Sequence, residues 1–129
     1  GLHADNAYDF AAPKGTTIYA IQDGAVIIAH PSGYNGGYGR FVRITHANET
    51  ETLYGHMSRI KCRRGQSVKR GEIIGFVGNT GTSTAPHCHY EVRKNGKPIN
   101  PINFYYNDLS PREYQQMLDI SARANQSFD

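Results

Sequence analysis

The chain has 129 residues, a size that fits one compact domain able to bury a continuous apolar core without disulfide or metal staples. Its 38% hydrophobic and 19% charged residues exclude a disordered chain, and a net charge of +3 is too slight to argue for nucleic acid as a partner. No apolar run approaches the roughly 18–20 residues of a membrane helix, and no charged-then-apolar leader opens the sequence, so the chain is expected to follow a removed signal, an anchor or another domain.

The first feature in chain order is chemical. His3 is followed six positions later by Asp9, which lies between Tyr8 and Phe10. An aspartate among aromatics is costly to bury unless it is paired or bound to a cation. His3 and Asp9 are therefore candidate site residues, with Asp5 as a competing acid. Short apolar or alternating runs separated by glycine turns then predict strands over 17–21, 24–29, 41–45, 50–56, 73–78 and 87–93. Between the second and third, the run 31–39 packs four glycines into nine residues. It is a loop by composition, either a surface connection or the border of a ligand groove. His30 and His46 take structural or surface readings. In the strand over 50–56, Leu53 is expected to face opposite to Tyr54 and His56, which makes His56 a further candidate.

A tight polar loop over 78–86 delivers the last predicted strand. There, alternation sends His87, His89, Glu91 and Arg93 to one face and Cys88, Tyr90 and Val92 to the other. Two imidazoles one residue apart on a strand share a surface, where they either reach one metal or flank one reacting group. Glu91 on that face is either a partner that fixes an imidazole's tautomer or a solvated carboxylate. Cys62 and Cys88 leave pairing open. After Pro101 the pattern changes: Ser110 caps a helix with Pro111 at its first position and Glu113 at its third, predicting a helix over 111–122 that docks Tyr114, Met117 and Leu118 onto the sheet. The expected architecture is mainly β, in antiparallel sheets of short strands with a C-terminal α-helix, as a single domain over 1–129 with a β core over 1–103 and a helical extension over 104–129.

Several ordered motifs carry a resemblance to a known family. They are Asp9 to Pro13 followed by Gly15, Thr16, Tyr19 and Ala20; Tyr54, Gly55, His56, Met57 and Ser58; the run 65–78; and 83–91 with Asn100 and Pro101 following. Together they resemble the LytM and lysostaphin type of zinc endopeptidases, from His3 to about Pro101. The resemblance implies the duplicated hybrid motif fold and an active site that hydrolyses peptide bonds in peptidoglycan. It implies Zn2+ held by His3, Asp9 and His89, with His56 and His87 as catalytic residues that position or polarise water and stabilise the oxyanion. The implied substrate is a peptidoglycan peptide, either a D-amino acid cross-link or a glycine-containing bridge. The implied place is the cell envelope, periplasmic or extracellular, and the ending 107–129 resembles that of members from Bacteroidetes-type bacteria.

Three departures from the family's pattern stand in the sequence. The gap between His3 and Asp9 is longer than the usual four, the turn Ala47, Asn48, Glu49 lacks the usual glycine, and Ala85 and Cys88 stand where glycine and leucine are commoner. As a small apolar residue Cys88 is expected to pack in the core. A non-catalytic module of the same fold, binding the wall or activating an amidase, is the alternative; retention of His3, Asp9, His56, His87 and His89 argues against it. The run Val68 to Gly75 also resembles a hairpin of lipoyl or biotinyl carrier domains, but no exposed modifiable lysine stands in the right hairpin.

Overall fold

The computed structural model describes residues 7–81, 85–99 and 112–115, together with the backbone of residues 2–3. Among the described residues ten strands form one antiparallel sheet: β1 (Leu2–His3), β2 (Ala7–Ala11), β3 (Thr17–Tyr19), β4 (Gly24–His30), β5 (Arg40–Thr45), β6 (Thr50–Ile60), β7 (Ser67–Val68), β8 (Ile73–Val77), β9 (His87–Lys94) and β10 (Lys97–Ile99). The main path runs β1-β2-β9-β6-β5-β4-β7, with β10 on β9, and with β8 joining β3 to β6. The mainly β, antiparallel, short-stranded architecture expected from the sequence is the one observed. The six expected strands are present, each within a few residues of its expected ends except β6, which continues through His56 to Ile60.

β1, β2, β7 and β10 are the additions. β2 matters most, because it pairs with β9 and sets Asp9 directly opposite His89. Aspartate is a poor strand former, so Ala7–Ala11 does not stand out as a strand by composition. Its ladder with β9 and its buried Phe10 decide the matter.

Alternation works as predicted along β9. Cys88, Tyr90 and Val92 are fully or nearly buried in the core, while His87, His89 and Glu91 lie on the other face. The core side stacks aromatics across strands: Phe10 sits 4.7 Å from Tyr8, 5.4 Å from Tyr90 and 4.9 Å edge-on from Tyr114. Removing a ring so enclosed, as in Phe10→Ala, costs about 3–5 kcal/mol. Cys62 and Cys88 are both free and buried, which answers the pairing question.

Helix is observed over 112–115, where Tyr114 is buried, hydrogen-bonded to both the backbone N–H and carbonyl of Tyr19. The docking role expected of Tyr114 is thus met. The rest of the predicted helix, with Ser110, Pro111, Met117 and Leu118, lies outside the described residues. The β5–β6 hairpin turns without glycine by holding Asn48 and Glu49 at φ 61° and 56°.

One local irregularity shapes the site. Arg40 pairs with Met57 but Val42 with Tyr54, so two steps along β5 span three along β6. The extra residue is a β-bulge at Gly55 and His56, and His56 takes φ 56°. Strict alternation would put His56 on the side of Tyr54, deep in the core. The bulge turns it to the opposite side instead, so the expectation that Tyr54 and His56 share a face is corrected.

Candidate active site

Three strands build the site side by side. β9 supplies His87, His89 and Glu91, β2 supplies Asp9 opposite His89, and the bulge of β6 supplies His56 beside Gly55, which pairs with His89 on its other flank. Gly55 carries no side chain there, and the ring of Tyr38 lies next to it: a Cβ on Gly55 would stand 3.6 Å from Tyr38 Cδ1. The His56 ring is 4.8 Å from that of His87 and 5.6 Å from that of His89. The structure therefore brings together Asp9, His56, His87 and His89 from the sequence-predicted set. His3 is registered opposite Ala7 on the β1–β2 ladder, and its side chain lies outside the described residues, as does Asp5.

Each imidazole has one nitrogen committed to a protein acceptor. His56 Nδ1 donates to the Thr80 carbonyl at 2.6 Å, since a carbonyl can only accept. Its Nε2 is thereby left as a lone-pair acceptor with no protein partner among the described residues. His87 Nδ1 donates to the Ala85 carbonyl at 2.7 Å, and its Nε2 stands 3.6 Å from Asp9 Oδ1. His89 is oriented the other way round: Nε2 is held by Glu91 Oε2 at 2.8 Å, and Nδ1 faces Asp9 Oδ1 at 3.1 Å.

Electrostatics separate the rings. Burial pushes the His56 imidazole below its ordinary pKa, against the pull of the Thr80 carbonyl, so it is neutral at pH 7. Burial also acts to lower His89, but the hydrogen bond and charge of Glu91, with Asp9 beside it, outweigh this and raise its pKa. Glu91 is itself nearly buried. Burial would raise its pKa, yet hydrogen bonds from His89, Tyr38 and Arg93 bring it down to about 2. Of the two readings left open by the sequence, Glu91 is the partner of an imidazole and not a solvated carboxylate.

The chemistry of the donors suits a borderline cation. Zinc takes imidazole nitrogen and carboxylate oxygen at about 2.0–2.2 Å in tetrahedral geometry, which places neighbouring donors about 3.3 Å apart. The 3.1 Å between Asp9 Oδ1 and His89 Nδ1 fits two corners of such a site. Glu91 on the far nitrogen supplies the carboxylate–histidine support that such ligands usually have. Among the described residues no three His, Cys, Asp or Glu side chains form a complete metal-holding group. Cys88 is no ligand candidate, being buried on the core face with its thiol pKa pushed far up by burial.

The sequence missed Tyr38 and Thr80. A cleft of about 270 Å3 is lined by Gly36, Gly37, Tyr38, His56, His89 and Glu91, so the glycine-rich run 31–39 does border a groove. Its four glycines were the available signal. Thr80 fastens that loop to the one preceding β9, donating through Oγ1 to the Met57 carbonyl at 2.8 Å and accepting from the Arg40 N–H at 3.1 Å. Gly39 is tightly enclosed by it, since a Cβ there would meet Thr80 Oγ1 at 2.4 Å.

Comparison with known proteins places this arrangement. The family model described as peptidase family M23 matches residues 3–101. A DD-carboxypeptidase/endopeptidase, Mpg, from Neisseria meningitidis serogroup B is 52% identical over 95 residues, which is 74% of this chain and 21% of that protein. Peptidoglycan DD-endopeptidase ShyA from Vibrio cholerae is 45% identical over 97 residues, 75% of this chain and 22% of that protein. The chain thus spans about a fifth of the length of these two relatives. The crystal structure of a zinc containing peptidase from Vibrio cholerae superposes with a TM-score of 0.66 at 38% identity, covering 74% of this chain and 29% of that one. With a family match over residues 3–101, most of its length, the chain belongs to peptidase family M23.

Proposed function

We propose that this chain is a zinc-dependent endopeptidase that hydrolyses peptide bonds in peptidoglycan cross-links or bridges, acting in the cell envelope. The observation that carries the reading is the way the three imidazoles divide: both nitrogens of His89 face carboxylates, whereas His56 and His87 each spend Nδ1 on a backbone carbonyl. A carboxylate-backed ring suits a metal ligand. A ring whose Nδ1–H is spent on a carbonyl keeps Nε2 for proton transfer. The relatives named DD-carboxypeptidase/endopeptidase and peptidoglycan DD-endopeptidase support the substrate class.

On this reading His3, Asp9 and His89 hold Zn2+. When bound there, the ion would supply Lewis-acid activation of water and of the scissile carbonyl. His56, neutral at pH 7, accepts the nucleophile's proton at Nε2, while the Thr80 carbonyl keeps the other proton on Nδ1. His87, its ring 4.8 Å from that of His56, would in its doubly protonated form donate from Nε2 to the oxygen on which negative charge develops, while Nδ1–H stays on the Ala85 carbonyl. Glu91 keeps the His89 tautomer fixed. The β core over 1–103 is the catalytic unit and 104–129 its extension.

Digestion of purified sacculi from several wall types, with mass analysis of the products, tests the function. The expected result is release of fragments cut at a peptide bond, abolished by a chelator and restored by zinc. Intact sacculi from every wall type, with the purified protein zinc-loaded, favour the non-catalytic wall-binding or amidase-activating module.

A further inference from the structure

We propose that Tyr38 and Arg93 are positioning residues for the metal site, acting through Glu91 on His89. This rests on the reading of His89 as a zinc ligand. Glu91 is the joint of the arrangement. Its Oε2 accepts from His89 Nε2 at 2.8 Å and from the Tyr38 hydroxyl at 2.7 Å. Its Oε1 accepts from Arg93 Nη2 at 3.0 Å and Arg93 Nε at 3.3 Å. Arg93 Nη2 also donates to the Tyr38 oxygen at 3.4 Å, closing the ring of contacts. A nearly buried carboxylate is stable only when its lone pairs are met, and here four donors from three side chains meet them.

Each contact restricts a different freedom. Arg93 lies two residues beyond Glu91 on the same face of β9, and its two-nitrogen grip on Oε1 sets the carboxylate plane. Tyr38 fixes Oε2 from across the cleft, and its ring packs 5.6 Å from the His89 ring. With Oε2 fixed, His89 Nε2 keeps its proton and the ring keeps Nδ1 turned to Asp9.

Tyr38 reaches further than Arg93. Its own carbonyl accepts from the His56 N–H at 2.7 Å, so one residue of the glycine-rich loop touches the backbone of His56 and, through Glu91, the side chain of His89. That loop also lines the cleft at Gly36 and Gly37.

The test is a double-mutant cycle read as zinc affinity, by chelator competition on the purified protein. Glu91→Gln is expected to weaken binding about 10- to 100-fold and Tyr38→Phe about tenfold, the range typical of outer partners of metal ligands. If Tyr38 acts through Glu91, the double variant is no weaker than Glu91→Gln alone. Arg93→Met should behave as Tyr38→Phe does, with partial rescue in Arg93→Lys. Thermal unfolding of the metal-free variants separates loss of fold from loss of positioning. Unchanged zinc affinity in Tyr38→Phe, or fully additive losses in the double variant, overturns the proposal and leaves the zinc reading intact. Failure of the wild-type protein to bind zinc overturns both.

Discussion

His46 and His89 are both buried imidazoles with both ring nitrogens engaged, yet their surroundings set them to opposite tasks. His46 Nδ1 donates to the Asp23 carbonyl at 2.7 Å, and Nε2 meets Thr52 Oγ1 at 2.7 Å. From there a polar chain continues to the Tyr54 hydroxyl at 2.9 Å and on to the Ile21 N–H at 3.1 Å. All of these partners are neutral, and burial lowers the His46 pKa. Around His89 the partners are carboxylates, and they raise its pKa in spite of burial. Burial of a histidine therefore marks nothing by itself. Charge on its partners, and a cleft at its side, distinguish a site from a well-satisfied structural ring.

The strongest way to break this contrast is Asp9→Ala. It removes one of the two carboxylates facing His89, and the expected result is loss of bound zinc. Turnover then falls about a thousandfold or more, as befits several kcal/mol of lost charge stabilisation. Metal content and turnover on sacculi check this, and a zinc-loaded, active variant refutes it. Next in size is His56→Ala, which should keep zinc and lower kcat by about 10^2- to 10^4-fold, the range of a general acid–base group.

His46→Ala is expected to act on the other side of the contrast. It removes one partner of the Asp23 carbonyl and one of the Thr52 hydroxyl, which keeps its contact with Tyr54, at a cost of about 0.5–1.5 kcal/mol for each hydrogen bond lost, and leaves zinc content and kcat of the folded protein unchanged. Denaturant unfolding and metal analysis read the two halves. The smallest effect is its pH dependence. Folding lowers the His46 pKa, so the unfolded chain binds more protons once pH drops below about 6.5. Stability thus falls as pH decreases through that value towards the lowered folded one, by no more than about 1.4 kcal/mol per pH unit for one group. Wild type minus His46→Ala, measured across that range, isolates the contribution.

Much of this contrast is legible in the sequence, and the remainder has identifiable causes. Alternation along 87–93 separates the site face from the core face, because a strand buried on one side must repeat every second residue. The same rule fails one strand away at His56, since the bulge that turns it depends on pairing with β5. Asp9 is visible as an unusual acid among aromatics, but its partner His89 stands opposite only once β2 has paired with β9. Tyr38 and Thr80 act through loops that interlock at Gly39, a contact between segments 40 residues apart that local pattern does not encode. Glu91 had two readings until Tyr38 and Arg93 were seen to saturate it.

On the proposed reading His89 and His87, two residues apart on one strand, do different work. The decisive experiment measures zinc content per chain in His87→Ala and His89→Ala, side by side with turnover on sacculi. The expected result is about one zinc with turnover largely lost in His87→Ala, and no zinc with no turnover in His89→Ala. Loss of zinc in both variants, or its retention in His89→Ala, contradicts it.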